Sequence, residues 1–204
     1  MRKHLLLLLT LLFAEGAAAQ WGTVTPLHVK GNQLVDTHDN PVVLHGVMDT
    51  PSPYFNNWRW GNACNDNTTT ACINYFNQLF TAMTDTKQGA YCNLFRLHLD
   101  CCWTNDNSVW AEGFTRKNDK TYDPSGNEVG GEADISHFNP DRLKKYMTSV
   151  YFPIAQRAKN HGMYVIMRPP GVCPGNLKVG DYYQQYLLTV WDTFSSNDTV
   201  KKYA

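Results

Sequence analysis

The chain lacks a charge bias. Eighteen Lys and Arg offset eighteen Asp and Glu in 204 residues, for a formal net charge of zero. Beyond Arg2-Lys3 the basic residues do not cluster, which argues against nucleic acid or an anionic membrane surface as partner. There is no Gly-rich phosphate loop after any apolar run, so a nucleotide-binding α/β fold is disfavoured. Cys and His spacings do not match a zinc site, and no metal or other cofactor is expected. Glutamate is scarce: after residue 19 only Glu112, Glu128 and Glu132 occur, all within one polar stretch.

Apolar runs long enough to span a membrane are also missing. One run, Leu5 to Ala14, follows Met1-Arg2-Lys3 and precedes Ala17-Ala18-Ala19. A charged start, a short apolar segment and small residues form a secretory signal peptide pattern. Residues 1–19 are therefore expected to be a leader, and residues 20–204 an exported chain, extracellular or periplasmic. No membrane association is expected after cleavage. All six cysteines fall in the exported part, where disulfides persist. Cys64 and Cys72 flank one polar loop, and a bridge between them would close it. Cys101 or Cys102 would meet Cys173 if the strands ahead of them are neighbours. Cys92, inside a strand, reads as a buried thiol.

Aromatic residues are plentiful, at 13%. The stretch Tyr91 to Trp103, YCNLFRLHLDCCW, organises the rest. Its centre, Asn93 to Leu99, reads as a buried strand with Arg96, His98 and Asp100 on one face. A cation, an imidazole and a carboxylate on such a strand need partners. That face is either a satisfied polar network or the wall of a site.

In chain order, Leu27 to Asp36 alternates around Gly31-Asn32 and predicts a hairpin. Val42 to Val47 is a continuous apolar run suited to a strand buried on both faces. Ile73, Phe76, Leu79, Phe80 and Met83 repeat at helical spacing behind a Thr69 or Thr70 cap. After the central strand comes a long polar loop, Cys101 to His137. Asn139-Pro140-Asp141 opens a helix that Pro153 kinks or divides, and Met163 to Met167 is a further strand. From about Asp181, Tyr186, Leu187, Val190, Trp191 and Phe194 share a helical face, with Trp191 read as core. A hairpin followed by three strand–helix units predicts a parallel sheet with helices outside, a barrel or a doubly wound sheet. Long loops after strand C-termini favour the barrel.

Three segments carry a family resemblance: LHVKGNQLVDTHDNPVVLHGV, NLFRLHLD, and AQRAKNHGMYVIMRPPG. Together they resemble the start of the secreted family 5 glycoside hydrolases, the cellulase family. The resemblance implies an α/β fold of the (β/α)8 (TIM) barrel type that cleaves β-linked polysaccharide with retention. Of that barrel this chain would hold the N-terminal hairpin and about three strand–helix units. An Arg on the second strand supports the carboxylate nucleophile in the family, and Arg96 matches that position. The Met167-Arg168-Pro169-Pro170-Gly171 ending departs from the Asp-Leu-His run of many members. It is closer to related barrels that include β-galactosidases, so a β-galactosidase- or mannanase-like barrel hydrolase stays open beside an endo-β-1,4-glucanase.

Retaining hydrolysis uses two carboxyl groups about 5–5.5 Å apart. The family places them in an Asn-Glu pair after the fourth strand and at the end of the seventh. Asn127-Glu128 lies in the polar loop and is followed by Val129, so neither catalytic Glu is present. The chain alone is expected to be an inactive fragment that would pair with a C-terminal remainder. Tyr54, Trp58, Trp60 and Trp103 are the candidate stacking surfaces for pyranose rings, and His98 a candidate to bond a hydroxyl or carboxylate. A non-catalytic carbohydrate-binding protein using the same aromatic loops is the alternative of another class.

Overall fold

The computed structural model describes residues 24–51, 64–105, 115–117, 120–122, 125–126, 128–131, 138–169, 178–198 and 200–204. The leader, the loop carrying Tyr54, Trp58 and Trp60, and Cys173 lie outside the described residues, as do Glu112 and Glu132.

The predicted hairpin is present. Strands β1 (His28–Lys30) and β2 (Gln33–Val35) pair antiparallel, with Lys30 opposite Gln33. Gly31 turns the corner at φ 63°, a conformation that other residues adopt at a steric cost. Asp39, exposed, accepts from Lys30 Nζ at 2.6 Å and ties the following turn back to β1.

Three parallel strands form the central sheet in the order β3 (Gly46–Asp49), β4 (Leu94–His98) and β8 (Tyr164–Arg168). Phe95 sits between Val47 and Val165, and Arg96 between Met48 and Ile166. Gly46 allows this pairing: a Cβ there would meet the Leu94 carbonyl oxygen at 1.7 Å. Asn93 fastens the approach to β3, accepting from His45 N at 2.9 Å and donating to Val43 O at 2.8 Å.

The run Val42 to Val47 departs from its expected burial. β3 begins only at Gly46, and Val43, Val47 and Met48 are all at least half exposed. The reason is position. Burial on both faces belongs to the middle of a covered parallel sheet, whereas among the described residues β3 is an edge and one face of this sheet is uncovered.

Helices cover the other face. Helix α1 (Thr69–Met83) buries Cys72, Phe76 and Phe80, which lie four apart along one stripe. Its N-cap is Thr68, one residue before the expected cap; the Thr68 hydroxyl donates to Asn65 O rather than accepting from the first turn. Helix α2 (Pro140–Tyr146) starts as predicted. Asn139 Oδ1 accepts from the amides of Asp141 and Arg142, both at 3.0 Å, and Pro140 fills the first turn. A π-helical turn, Met147–Tyr151, then leads into α3 (Phe152–Asn160). Pro153 lies in the first turn of α3, so its missing amide is absorbed where the hydrogen-bond pattern already changes. Helix α4 (Tyr182–Ser195) is capped by Asp181, which accepts from Gln184 N at 2.8 Å.

The core lies between these helices and the covered face. Phe80 and Phe76 meet Phe95 edge-on at 4.9 and 5.9 Å. Tyr151, fully interior, donates to Leu97 O at 3.0 Å, so its hydroxyl is satisfied where burial would otherwise cost. Tyr186 and Val190 of α4 join this core. Trp191 does not: it is 64% exposed, although it shares the apolar stripe, because among the described residues no strand or helix beyond the free edge of β8 receives it. The polar stretch after β4 is more structured than its composition predicts. Strands β5 (Thr115–Lys117), β6 (Lys120–Tyr122) and β7 (Glu128–Gly131) make a separate antiparallel sheet.

Candidate functional site

Along β4 the side chains alternate sharply. Phe95 and Leu97 are fully buried under the helices, while Arg96 is exposed on the open face and His98 is partly buried beside it. β8 has the same parity, which places Ile166 and Arg168 on that open face. His98 and Arg168 are register partners, one layer nearer the strand C-termini than Arg96.

Arg168 Nη1 lies 3.2 Å from His98 Nε2 and 3.3 Å from Nδ1. Nearly equidistant from the two ring nitrogens, Nη1 lies against the imidazole face, and a cation so placed favours the neutral ring. His98 is held in that form: its pKa falls to about 4, first through burial, then through the charges of Arg168 and Arg96. Among the described residues Arg96 makes no hydrogen bond or ion pair, and Arg168 bonds only the imidazole through its side chain. The open face thus presents two guanidiniums and a neutral imidazole without an opposing carboxylate among the described residues.

Asp100 does not complete the expected trio. β4 ends at His98, and the chain turns into a 3-10 turn, Cys101–Trp103, whose first amides need a cap. Buried Asp100 supplies it, accepting from Cys102 N at 2.8 Å.

Trp103 requires correction as well. Expected at the rim as a sugar platform, it is fully buried; its indole donates to Pro51 O at 2.5 Å and its ring stands 4.9 Å from Tyr146. The turn after β4 rolls the side chain inward, behind the sheet, where a large ring gains most from burial. Tyr54, Trp58 and Trp60 lie outside the described residues.

The disulfide differs from both expected pairings that involve its members. Cys64 bonds Cys102, with Cα atoms 5.6 Å apart, rather than Cys72 or Cys173 respectively. Cys72 instead faces the core from the first turn of α1, and burial drives its thiol pKa up. Cys101 is buried in the 3-10 turn, and Cys92 remains a partly buried thiol. Arg142 Nη2 donates to the carbonyls of Cys64 and Cys102, the latter at 2.9 Å, so one guanidinium clamps both ends of the bridge. Among the described residues no group of His, Cys, Asp or Glu is arranged to hold a metal ion.

Two clefts flank β8 on either side of its free edge. One, about 460 Å³, lies toward the strand N-termini and is lined by Leu44, Leu94, Tyr164, Ile166 and Tyr203. The other, about 430 Å³, runs between Ile166, Pro169, Trp191 and Phe194. Both are mainly apolar, and neither includes Arg96 or His98. The Tyr203 carbonyl already accepts from Val165 N at 3.3 Å along the free edge of β8.

Sequence reasoning found Arg96 and His98 but overlooked Arg168. The signal was available: extending the expected strand Met163–Met167 by one residue puts Arg168 two positions from Ile166, on the same face. No protein-family model and no curated protein matches the chain.

Proposed function

We propose that the chain is the N-terminal portion of a secreted, retaining β-glycan hydrolase of the (β/α)8 type, similar to family 5 and cleaving a β-1,4-glucan or a related plant polysaccharide in endo fashion. One observation carries the reading: among the described residues Arg96 stands unpaired on the uncovered face of a three-stranded parallel sheet, beside His98 and Arg168. Parallel sheets are stable when both faces are covered. Among the described residues helices cover one face only, and Met48 and Ile166 on the other remain about half exposed. Further strands closing over that face would bury Met48 and Ile166 and turn Arg96 into an interior cation.

In that setting Arg96 acts as a positioning residue. A guanidinium within hydrogen-bond reach keeps a carboxylate ionised, lowering its pKa by about 1–3 units, and fixes its orientation through a bidentate contact. Those are the needs of a nucleophile that must attack an anomeric carbon from one direction. The nucleophile and the acid are both carboxylic acids that this reading assigns to later strands. Glu128 lies in β7, on the separate antiparallel sheet.

The test starts with the coding sequence downstream of codon 204. An in-frame continuation with Asn-Glu after an apolar strand is expected, and the longer protein should release reducing ends from a soluble β-glucan with retention, read by proton NMR of the first-formed anomer. Arg96→Ala in that protein should lower kcat by about 10²-fold or more. A stop at codon 205, or a longer protein inert on glucans, mannans and β-galactosides, would overturn the reading.

A further inference from the structure

We propose that Asn67 is the acceptor for an N-linked oligosaccharide, added during export to the turn that precedes α1. The proposal rests on the exported reading of the chain and not on its hydrolase chemistry.

The sequence offers two Asn-X-Thr triplets, Asn67-Thr68-Thr69 and Asn197-Asp198-Thr199, neither with Pro in the middle. The fold separates them. Asn67 is exposed in a turn, and among the described residues its side-chain amide makes no hydrogen bond, while its backbone N–H donates to Asn65 Oδ1 at 3.0 Å. A sugar on Asn67 Nδ2 therefore strands no partner. Asn197 is partly buried instead. Its Oδ1 accepts from Val200 N at 2.9 Å and caps the 3-10 turn Val200–Lys202, in a groove it shares with Phe152 and Gln156. An oligosaccharide there has to clear the groove, whereas at Asn67 it starts in solvent.

The turn around Asn67 is also fastened late. Asp66 accepts from Lys145 Nζ at 2.7 Å and from the Tyr146 hydroxyl at 3.0 Å, 79 and 80 residues further along. Cys64 is bridged to Cys102, 38 residues on, and its carbonyl accepts from Arg142. A chain is made from its N-terminus, so Asn67 and the Thr69 hydroxyl are presented on an unfastened segment before these partners arrive. The bridge also marks the compartment, because a disulfide so close to Asn67 belongs to an oxidising secretory route. In the transfer, Asn67 Nδ2 attacks the anomeric carbon of an oligosaccharide carried on a polyprenyl pyrophosphate. The N–C bond forms, the bond from that carbon to the phosphate oxygen breaks, the pyrophosphate leaves and the amide gives up one proton. Helix α1 packs on Phe95, on the face opposite Arg96, so a glycan ahead of it does not compete with strands closing over the other face.

The test expresses the complete coding sequence, leader included and continued to its natural stop, in a eukaryotic secretory host that supplies the polyprenyl-linked donor. Protein from the medium is digested and treated in heavy-oxygen water with an amidase that releases N-linked glycans and converts their Asn to labelled Asp. Mass spectrometry is expected to find the label at Asn67 in most molecules, with little at Asn197. Asn67→Gln and Thr69→Ala should each be lighter than wild type by one oligosaccharide, and Thr69→Ser, which keeps the hydroxyl, should stay glycosylated. The wild-type peptide map decides the question even if a variant is secreted poorly. Secreted protein with Asn67 unlabelled, or with Asn197 labelled as fully, would overturn the proposal and leave the hydrolase reading standing. Protein retained in the cytosol with its leader uncut would overturn the proposal and the exported reading together. Labelled, secreted protein that is inert on β-glycans would support the proposal and count against the hydrolase alone.

Discussion

Phe95 and Arg96 are adjacent in the chain and belong to different environments. Phe95 faces α1, closed in by Phe76 and Phe80, and no solvent reaches it. Arg96 faces the bare side of the same strand, between Met48 and Ile166, with no hydrogen-bond partner among the described residues. On the first face Phe95, Leu97 and Val165 are enclosed by their neighbours. On the second, the side chains need neighbours that the described residues do not provide. Stability of this chain is therefore expected to reside in one face of its sheet, and the chemistry in the other.

Truncating one residue on each face separates the two environments most directly. Phe95→Ala removes a fully enclosed ring and should destabilise by about 4 kcal/mol. Ile166→Ala, nearly half exposed at the open face, should lose under about 1 kcal/mol. Urea denaturation of the two variants measures both. Comparable losses would mean that the open face is packed in solution.

Next in size is the bridge behind the covered face. Cys64 and Cys102 are 38 residues apart, and closing a loop of that length restricts the unfolded chain by about 4 kcal/mol in the chain-entropy account. Cys102→Ser, or reduction, should lower the unfolding free energy by about 3 kcal/mol. Cys72→Ser should not reproduce this through a lost bridge; its effect would come from placing a hydroxyl in an apolar site. Mass mapping of the oxidised chain checks the connectivity: a Cys64–Cys72 peptide would contradict the fold around Trp103.

How much of this was legible in the sequence follows the same division. The periodic apolar positions of α1, the Asn139 cap, the hairpin at Gly31 and the alternation of β4 could all be read, because each depends on residues close in the chain. What could not be read depends on the path after a strand ends. Trp103 lies five residues beyond His98, yet a single 3-10 turn capped by Asp100 sends it into the core. Cys102 is carried by the same turn toward Cys64, across a separation that no local pattern reveals. Arg168 was missed through a one-residue error in strand length. Trp191 shows the converse failure: a helical stripe predicts which side chains face the sheet, but not where the sheet runs out.

A smaller effect links the two faces through pH. His98 has a folded pKa of about 4 against roughly 6.5 for an unperturbed imidazole. The unfolded state therefore binds more protons in this interval, and stability falls as pH is lowered from about 6.5 toward 4. Burial is the leading cause and the two arginines follow, so His98→Asn should flatten this part of the stability profile. Allowing for its partial exposure, the contribution is about 2 kcal/mol across the window. A profile between pH 6.5 and 4 identical in wild type and variant would show that the ring is solvated and that Arg168 does not sit against it.

The smallest expected change in stability is the one that bears most on function. Arg96→Ala removes a guanidinium that is exposed and has no hydrogen-bond or ion-pair partner among the described residues, so the unfolding free energy should move by less than about 0.5 kcal/mol. Removing it also relieves the repulsion with Arg168 and one of the charges acting on His98, so the histidine pKa should rise toward its ordinary value. A buried arginine engaged in structure would behave in the opposite way, because its loss leaves a partner stranded and costs several kcal/mol. Arg142, which clamps the Cys64 and Cys102 carbonyls, is the internal control for that behaviour, and Arg142→Ala should destabilise clearly more than Arg96→Ala. Equal losses for the two variants would place Arg96 in the scaffold and remove the reason for assigning it to a site.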